Sequence, residues 1–333
     1  MKFEFIPKTM NIETVLGCNA RCTMCSVGSW QRKHGMMDPE IFDTIVDQMT
    51  DFKDALKSVA LFLDGEPLID RFLEDRIAQC KSNDIPQVGF TTNGALFNPD
   101  RIKRILDAEP DWIVFSLDSL DKETYEKIRV RLKFERVQEN VHEVIRLRDE
   151  LGKKTRIVAR LIEQEYNRGQ FPHFQEYFSK LLDNDKDEIH RHGVHNWGNG
   201  DSNYDFGNTK CGHIDNKFVV YRDGTVPLCC IDFNGNNVMG NVTQSHILEI
   251  FNNAMFRRVR DIHNAGERNT MKVCETCDFP EANGAGAITQ KLTPNGKLIS
   301  NDAFKPFDNE AARSDDADAD ADAGKYEALL KAS

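Results

Sequence analysis

The run Asn11-Ile-Glu-Thr-Val-Leu-Gly17, followed at once by Cys18-Asn-Ala-Arg-Cys22-Thr-Met-Cys25, decides how this chain is read. Its first half is a strand candidate, and its second sets three thiols at the spacing C-x3-C-x2-C. Three thiolates can bind three irons of a cubane [4Fe–4S] cluster and leave the fourth iron without a protein ligand. An iron with open coordination can bind and activate a small molecule, whereas a fully ligated cluster carries electrons or braces the fold. A zinc site or a purely electron-transferring cluster is the alternative for the same residues.

From this stretch to about residue 200, short apolar runs alternate with longer amphipathic ones. The strand candidates are 11–17, 58–64, 87–92, 112–118, 155–162 and 188–195. Between them, 38–51, 70–83, 99–107, 135–151 and 168–183 are apolar at helical spacing. Asp38-Pro39 and Asn98-Pro99 read as helix starts, a capping side chain followed by proline in the first turn. Six β–α repeats predict an α/β fold with a parallel sheet, too few for an eight-stranded barrel. The expectation is a partial (β/α)6 barrel over residues 1–205, with ligands gathered at the carboxyl ends of its strands.

Further chemistry stands where those strands should end. Gly65-Glu66-Pro67 follows the second, Thr92-Asn93-Gly94 ends the third, and Ser116-Leu117-Asp118 ends the fourth, with Arg129 on the next helical segment. Together with the cysteine triad, these resemble the signature of the radical S-adenosylmethionine (SAM) superfamily. The resemblance implies that Cys18, Cys22 and Cys25 hold a [4Fe–4S] cluster whose open iron is chelated by the amino and carboxylate groups of SAM. Reductive cleavage of SAM would then give a 5′-deoxyadenosyl radical that takes hydrogen from a substrate. The resemblance also implies a SAM pocket built from Met24, Gly65, Glu66, Asn93, Ser116 and Arg129. Glu66, in a GGEP-like motif, would receive the SAM ammonium in a charge-assisted contact. Arg129 would meet the carboxylate, and the Met24 backbone would face adenine. Asp64 departs from the motif, which has glycine there.

After residue 205 the pattern changes. Segments 217–222 and 225–229 read as a hairpin turning at Asp223-Gly224, residues that tolerate positive φ, and one helix is expected over 247–263. Twelve residues separate Cys211 from Gly224, and four separate Gly224 from Cys229. This resembles the C-x(9–15)-G-x4-C opening of SPASM and twitch domains, and the cysteine count suits the shorter twitch form, best known from 2-deoxy-scyllo-inosamine dehydrogenase. The resemblance implies an auxiliary [4Fe–4S] cluster on Cys211, Cys229, Cys274 and Cys277, in a domain over 206–285. Four thiolates saturate a cubane, which suits electron transfer; a four-cysteine zinc site bracing the domain is the alternative. Cys230 is expected to point away from Cys229, as a packed thiol, a substitute ligand or a hydrogen-atom donor. His192 and His195, near Asn196 and Trp197 at the last strand end, are candidates for substrate contact. Lone Cys80 reads as a small buried hydrophobe. From 286 to 333 periodicity fades into an Asp-Ala run, expected to be a disordered acidic tail.

Composition narrows the class. Charged residues make up 29% and hydrophobic ones 40%, as in an ordinary globular protein. The net charge of −11, to which 301–333 contribute nine acids against four bases, argues against a nucleic-acid partner. No apolar run reaches the roughly 18 residues of a membrane span, and residues 1–8 lack a signal peptide's apolar stretch. A cytoplasmic protein without a membrane partner is expected. In that reducing compartment, clustered cysteines read as ligands rather than disulfides. The expected function is a radical SAM oxidoreductase that dehydrogenates a small polyol or sugar-like molecule. Its reductant would be of flavodoxin or ferredoxin type, and its auxiliary cluster would take up the substrate's electron. Modification of a short peptide or protein, and radical epimerisation, are the alternatives. The triad begins too near residue 1 for the N-terminal recognition domain that peptide-binding relatives often carry. A non-catalytic iron–sulfur or zinc module would leave the strand-end motifs a coincidence.

Overall fold

In the computed structural model, residues 3–197, 207–278, 281–282, 285–286 and 289–302 are described. Six parallel strands, β1 (Thr9–Ile12), β2 (Ser58–Ala60), β3 (Val88–Thr92), β4 (Trp112–Ser116), β5 (Arg156–Glu163) and β6 (Glu188–Gly193), lie side by side in chain order. Helices α1 (Pro39–Thr50), α2 (Leu73–Ser82), α3 (Pro99–Asp107), α4 (Lys122–Ile128), α5 (Phe134–Glu150) and α6 (Phe171–Ser179) connect them. The Asn98 side chain accepts the Arg101 amide at 3.0 Å, as a cap should. Asp38 makes no such bond, so only the proline marks the start of α1.

Alternate strand residues point to opposite faces, and here the faces meet different surroundings. Ile113, Phe115, Ile157, Ala159, Leu161 and Ile189 join the helices in the main core. Ala60, Trp112, Val114 and Val158, with Phe62, form a second apolar cluster on the concave side. Gly89 makes that floor possible, because a Cβ there would stand 2.3 Å from the Trp112 ring.

The chain beyond 207 departs from expectation in three places. Gly224 does turn with φ +82°, and the Tyr221 amide bonds to the Thr225 carbonyl at 2.8 Å. The flanking strands nonetheless ladder with other partners. β7 (Lys217–Val220) pairs in parallel with the free edge of β1, and β8 (Thr225–Pro227) pairs antiparallel with β9 (Val238–Asn241). The expected helix over 247–263 is two helices, α7 (Ile247–Phe251) and α8 (Ala254–Asn264), because the Asn253 side chain caps the second by accepting the Phe256 amide. Finally, β10 (Thr289–Leu292) pairs antiparallel with β6, and β11 (Leu298–Asp302) follows it. A disordered segment from 286 is therefore wrong for 289–302: the open edge of β6 offers unpaired backbone groups that a polar segment can satisfy. The acidic run from 303 to 333 and the boundary at 205–206 lie outside the described residues. Among the described residues, no helix is long and apolar enough to cross a membrane.

Candidate active site

The triad lies on the loop that leaves β1 after Val15 and Leu16 pair with Gly35 and Met36. Two backbone bonds tie this loop to the end of α4, Arg21 N–H to the Val130 carbonyl (2.9 Å) and Thr23 N–H to that of Ile128 (3.0 Å). Arg129 sits between them. One of its N–H groups donates to Cys22 Sγ at 3.4 Å, and Nη2 lies 2.6 Å from the buried Asp118 carboxylate. Burial pushes the Cys18 thiol up to about 12 and Cys25 up to about 11, although backbone N–H groups of Ala20 and Val27 oppose the rise. Each also feels the charge of its neighbours in the triad. Thiols that burial keeps protonated become thiolates when a metal replaces the proton, so this donor set fits an iron–sulfur cluster.

The strand-end motifs gather around that loop. A Cβ on Gly65 would stand 2.1 Å from the Val15 carbonyl oxygen, so only glycine lets the end of β2 pass beside the triad's approach. Glu66 N–H then bonds to the Gly17 carbonyl at 2.9 Å. The buried Glu66 carboxylate accepts from Leu68 N–H (3.0 Å), the Thr92 hydroxyl (2.6 Å) and Asn93 N–H (2.8 Å), knotting the ends of β2 and β3 together. Burial raises its pKa against those bonds. Asn93 Nδ2 reaches the Asn19 side chain inside the triad at 2.9 Å. Ser116 is buried at the end of β4. Met24 receives the Trp197 indole N–H on its carbonyl at 2.7 Å. Glu66 and Arg129 are thus engaged with the chain itself, and a ligand would meet their remaining lone pairs and N–H groups.

The second cysteine set is brought together from three segments. Burial raises Cys229 well above the thiol range, with the charges of Cys230, Cys274 and Cys277 adding to it. Burial also pushes Cys274 up to about 12, with Cys211 contributing. Cys211 N–H donates to His263 Nδ1 at 3.3 Å, and burial drives that histidine down to about 4, so it stays neutral and can accept. Among the described residues, no three His, Cys, Asp or Glu side chains converge as they would on a single ion. The thiols lie near enough for their charges to act on one another, a four-thiolate donor set that fits a cubane cluster or a zinc ion.

Cys230 Sγ lies 3.9 Å from His213 Nδ1 and is near enough to Asp64 for their charges to act on each other. His192 and His195 are kept neutral by burial, His195 near 4, and His195 packs 4.3 Å from Trp197 between ring centres. The sequence reading missed the contacts that join the two cysteine sets. Arg32 donates to both Glu13 oxygens (2.6 and 2.7 Å), to Asp64 (3.0 Å) and to the Phe233 carbonyl (2.7 Å), with its guanidinium carbon 3.5 Å from the Tyr221 ring centre. Glu13, a charge inside an apolar run, was a signal that a buried partner must exist. Arg32 lies in a segment without pattern and gave none.

The two regions match known families. The family model described as the Radical SAM superfamily matches residues 12–160, and that of the SPASM iron-sulfur cluster-binding domain matches residues 211–278. Residues 12–160 are therefore a radical SAM domain, and residues 211–278 a SPASM domain. As a radical SAM enzyme with an auxiliary-cluster domain, the chain takes SAM and [4Fe–4S] clusters as cofactors. It is similar to the tungsten-containing aldehyde ferredoxin oxidoreductase cofactor-modifying protein of Pyrococcus furiosus, 26% identical over 175 residues, which are 52% of this chain and 49% of that protein. It is also similar to the S-adenosyl-L-methionine-dependent 2-deoxy-scyllo-inosamine dehydrogenase of Niallia circulans, 25% identical over 281 residues, 81% of this chain and 92% of that enzyme. The chain therefore spans about half the length of the Pyrococcus relative. The crystal structure of BtrN in complex with AdoMet and 2-DOIA superposes with a TM-score of 0.57 at 20% identity, over 83% of this chain and 96% of that one, and supports the partial-barrel fold.

Proposed function

We propose that this radical SAM chain oxidises a small hydroxylated molecule by dehydrogenation, with one auxiliary [4Fe–4S] cluster as electron acceptor. The observation that carries the reading is the division of its thiols. Three lie on one loop and leave a coordination position open, while Cys211, Cys229, Cys274 and Cys277 come near enough for their charges to act on one another and suffice to saturate a cubane. When bound, SAM at the first cluster would supply the radical that takes hydrogen from carbon, the hydroxyl proton would pass to a nearby base, and the second cluster would receive the remaining electron.

The chain's own residues set up that chemistry. Arg129 holds the triad loop through Cys22, and Glu66 fixes the strand ends beside it. Neutral His192 and His195 offer hydrogen bonds to hydroxyls without adding charge. The apolar floor of Trp112, Val114 and Val158 excludes water beneath the substrate. Similarity along 92% of the Niallia dehydrogenase favours alcohol oxidation. A reductant of flavodoxin or ferredoxin type and a cytoplasmic setting suit clustered free thiols.

The test is anaerobic reconstitution followed by reduction with dithionite in the presence of SAM and a panel of cyclitols that includes 2-deoxy-scyllo-inosamine. The protein should hold about eight irons, falling to about four in Cys274→Ala. It should form 5′-deoxyadenosine, lose that activity in Cys22→Ala, and yield a product lacking one hydrogen pair for each SAM consumed. Fully loaded wild-type protein that never forms 5′-deoxyadenosine would remove the enzyme reading. A mass change on a short peptide instead of a cyclitol would replace the substrate.

A further inference from the structure

Strand register places Ser116 of β4, Arg160 of β5 and His190 of β6 side by side, and sets Thr91, Val114 and Val158 in the row beneath. Val114 and Val158 belong to the concave apolar floor, while Ala159 and Leu161, which flank Arg160, belong to the main core. Arg160, two residues after Val158, therefore projects from the concave face above that floor.

Its guanidinium has no ion-pair or hydrogen-bond partner among the described residues, and its Nε is fully buried. The acid whose charge reaches it, Asp118, is already 2.6 Å from Arg129, and Arg129 is itself a second positive charge nearby. Burial consequently drives Arg160 down to about 10. Two more buried polar atoms in the same rows lack partners among the described residues, Thr91 Oγ1 and His190 Nδ1. The other His190 nitrogen is taken by Glu188 at 2.6 Å, and the charge of Lys291 acts on both His190 and His192. An unpaired cation and two unfilled hydrogen-bonding atoms over an apolar floor cost stability, and a bound anion with hydroxyls would satisfy all three.

We propose that Arg160 is a substrate anchor, whose guanidinium receives a carboxylate or phosphate of a small hydroxylated substrate while Thr91 and His190 bond to its hydroxyls. Arginine matches such groups through paired N–H donors. The proposal rests on the oxidoreductase reading above and narrows its substrate from any polyol to an acidic one. SAM also carries a carboxylate, so the two sources must be told apart.

Inorganic phosphate is the probe, added to anaerobically reconstituted protein at constant ionic strength, with thermal unfolding as the readout. Phosphate should raise the wild-type Tm in a saturating manner. Arg160→Gln should weaken the apparent phosphate affinity by about 10- to 100-fold, and Arg160→Lys should keep part of it. In the second arm, equilibrium dialysis should give Arg160→Gln a SAM affinity within about twofold of wild type. Absence of a phosphate effect in wild type, or an equal effect in Arg160→Gln, overturns the anchor. So does a loss of SAM affinity that matches the loss of phosphate affinity, since the arginine would then serve SAM. Wild-type protein that binds phosphate through Arg160 but never forms 5′-deoxyadenosine would leave the anion site and remove the oxidoreductase reading. Dehydrogenation of neutral cyclitols, equally fast in wild type and Arg160→Gln, would do the reverse.

Discussion

Arg129 is buried with one N–H on Cys22 Sγ and another group 2.6 Å from Asp118, whose carboxylate is fully buried. Removing one partner of a buried ion pair strands the other charge, at a cost of about 3–5 kcal/mol. Arg129→Met should lower stability by that amount in denaturant unfolding, and adding Asp118→Asn, which is neutral, tolerates the left-handed backbone at 118 and keeps the bond from Ile162 N–H, should recover much of it. Losses that simply add would show that the two charges do not depend on each other. A second residue gives a pH dependence. Burial pushes His190 from its ordinary value near 6.5 to about 4 despite the Glu188 carboxylate. Between those values the unfolded chain binds a proton that the folded chain refuses, so stability falls as pH drops through the window and is restored above it. His190→Gln should flatten this slope by up to about 3 kcal/mol, read from unfolding midpoints across the window; an unchanged slope would mean that the imidazole titrates freely. At this scale the cysteines were legible as candidate ligands because their spacing groups them. Arg160 and Arg32 were not, because their roles depend on which strands and loops the fold sets beside them.

Between the end of β2 and the triad there is no room for a methyl group. The Cβ of an alanine at 65 would meet the backbone oxygens of Val15 at 2.1 Å and Gly17 at 3.1 Å, and neither can swing aside as a side-chain tip would. Gly65→Ala should therefore push the strand end away from the triad loop, taking with it the bond from Glu66 N–H to Gly17. We expect a loss of about 1–3 kcal/mol from overpacking and a selective loss of about four of eight irons, those of the first cluster. Iron analysis of reconstituted protein checks this, and a variant that still loads about eight irons would contradict it. The parallel strands and their helices were readable in sequence because each apolar alternation is local. Asp223-Gly224 announced a turn but not where its strands would pair, since β7 finds the edge of β1 and β8 finds β9. β10 was illegible for the same reason, because its pairing comes from the open edge of β6 rather than from its own polar residues.

The barrel and the auxiliary-cluster region are bonded into one body around Arg32. β7 extends the core sheet, Gln31 N–H donates to the Asn234 side chain at 2.8 Å, and that side chain returns a bond to the Ser29 carbonyl at 3.0 Å. Arg32 itself ties Glu13 and Asp64 of the barrel to Tyr221 and Phe233 beyond it. Two buried carboxylates share this one guanidinium, and burial raises the pKa of both. Arg32→Ala should therefore leave both without a counter-charge and cost about 3–5 kcal/mol near neutral pH. That deficit has a sign in pH. A carboxylate whose folded pKa lies above its unfolded one binds protons more tightly in the folded state, so its burial penalty shrinks as pH falls through the folded value. The variant should approach wild-type stability on acidification from neutral pH towards the ordinary carboxylate range, and Glu13→Gln added to Arg32→Ala should move part of that recovery up to neutral pH. Parallel unfolding curves for wild type and variant across the range would mean instead that Arg32 acts only by packing on Tyr221, and that the junction between the two cysteine sets is not held by charge.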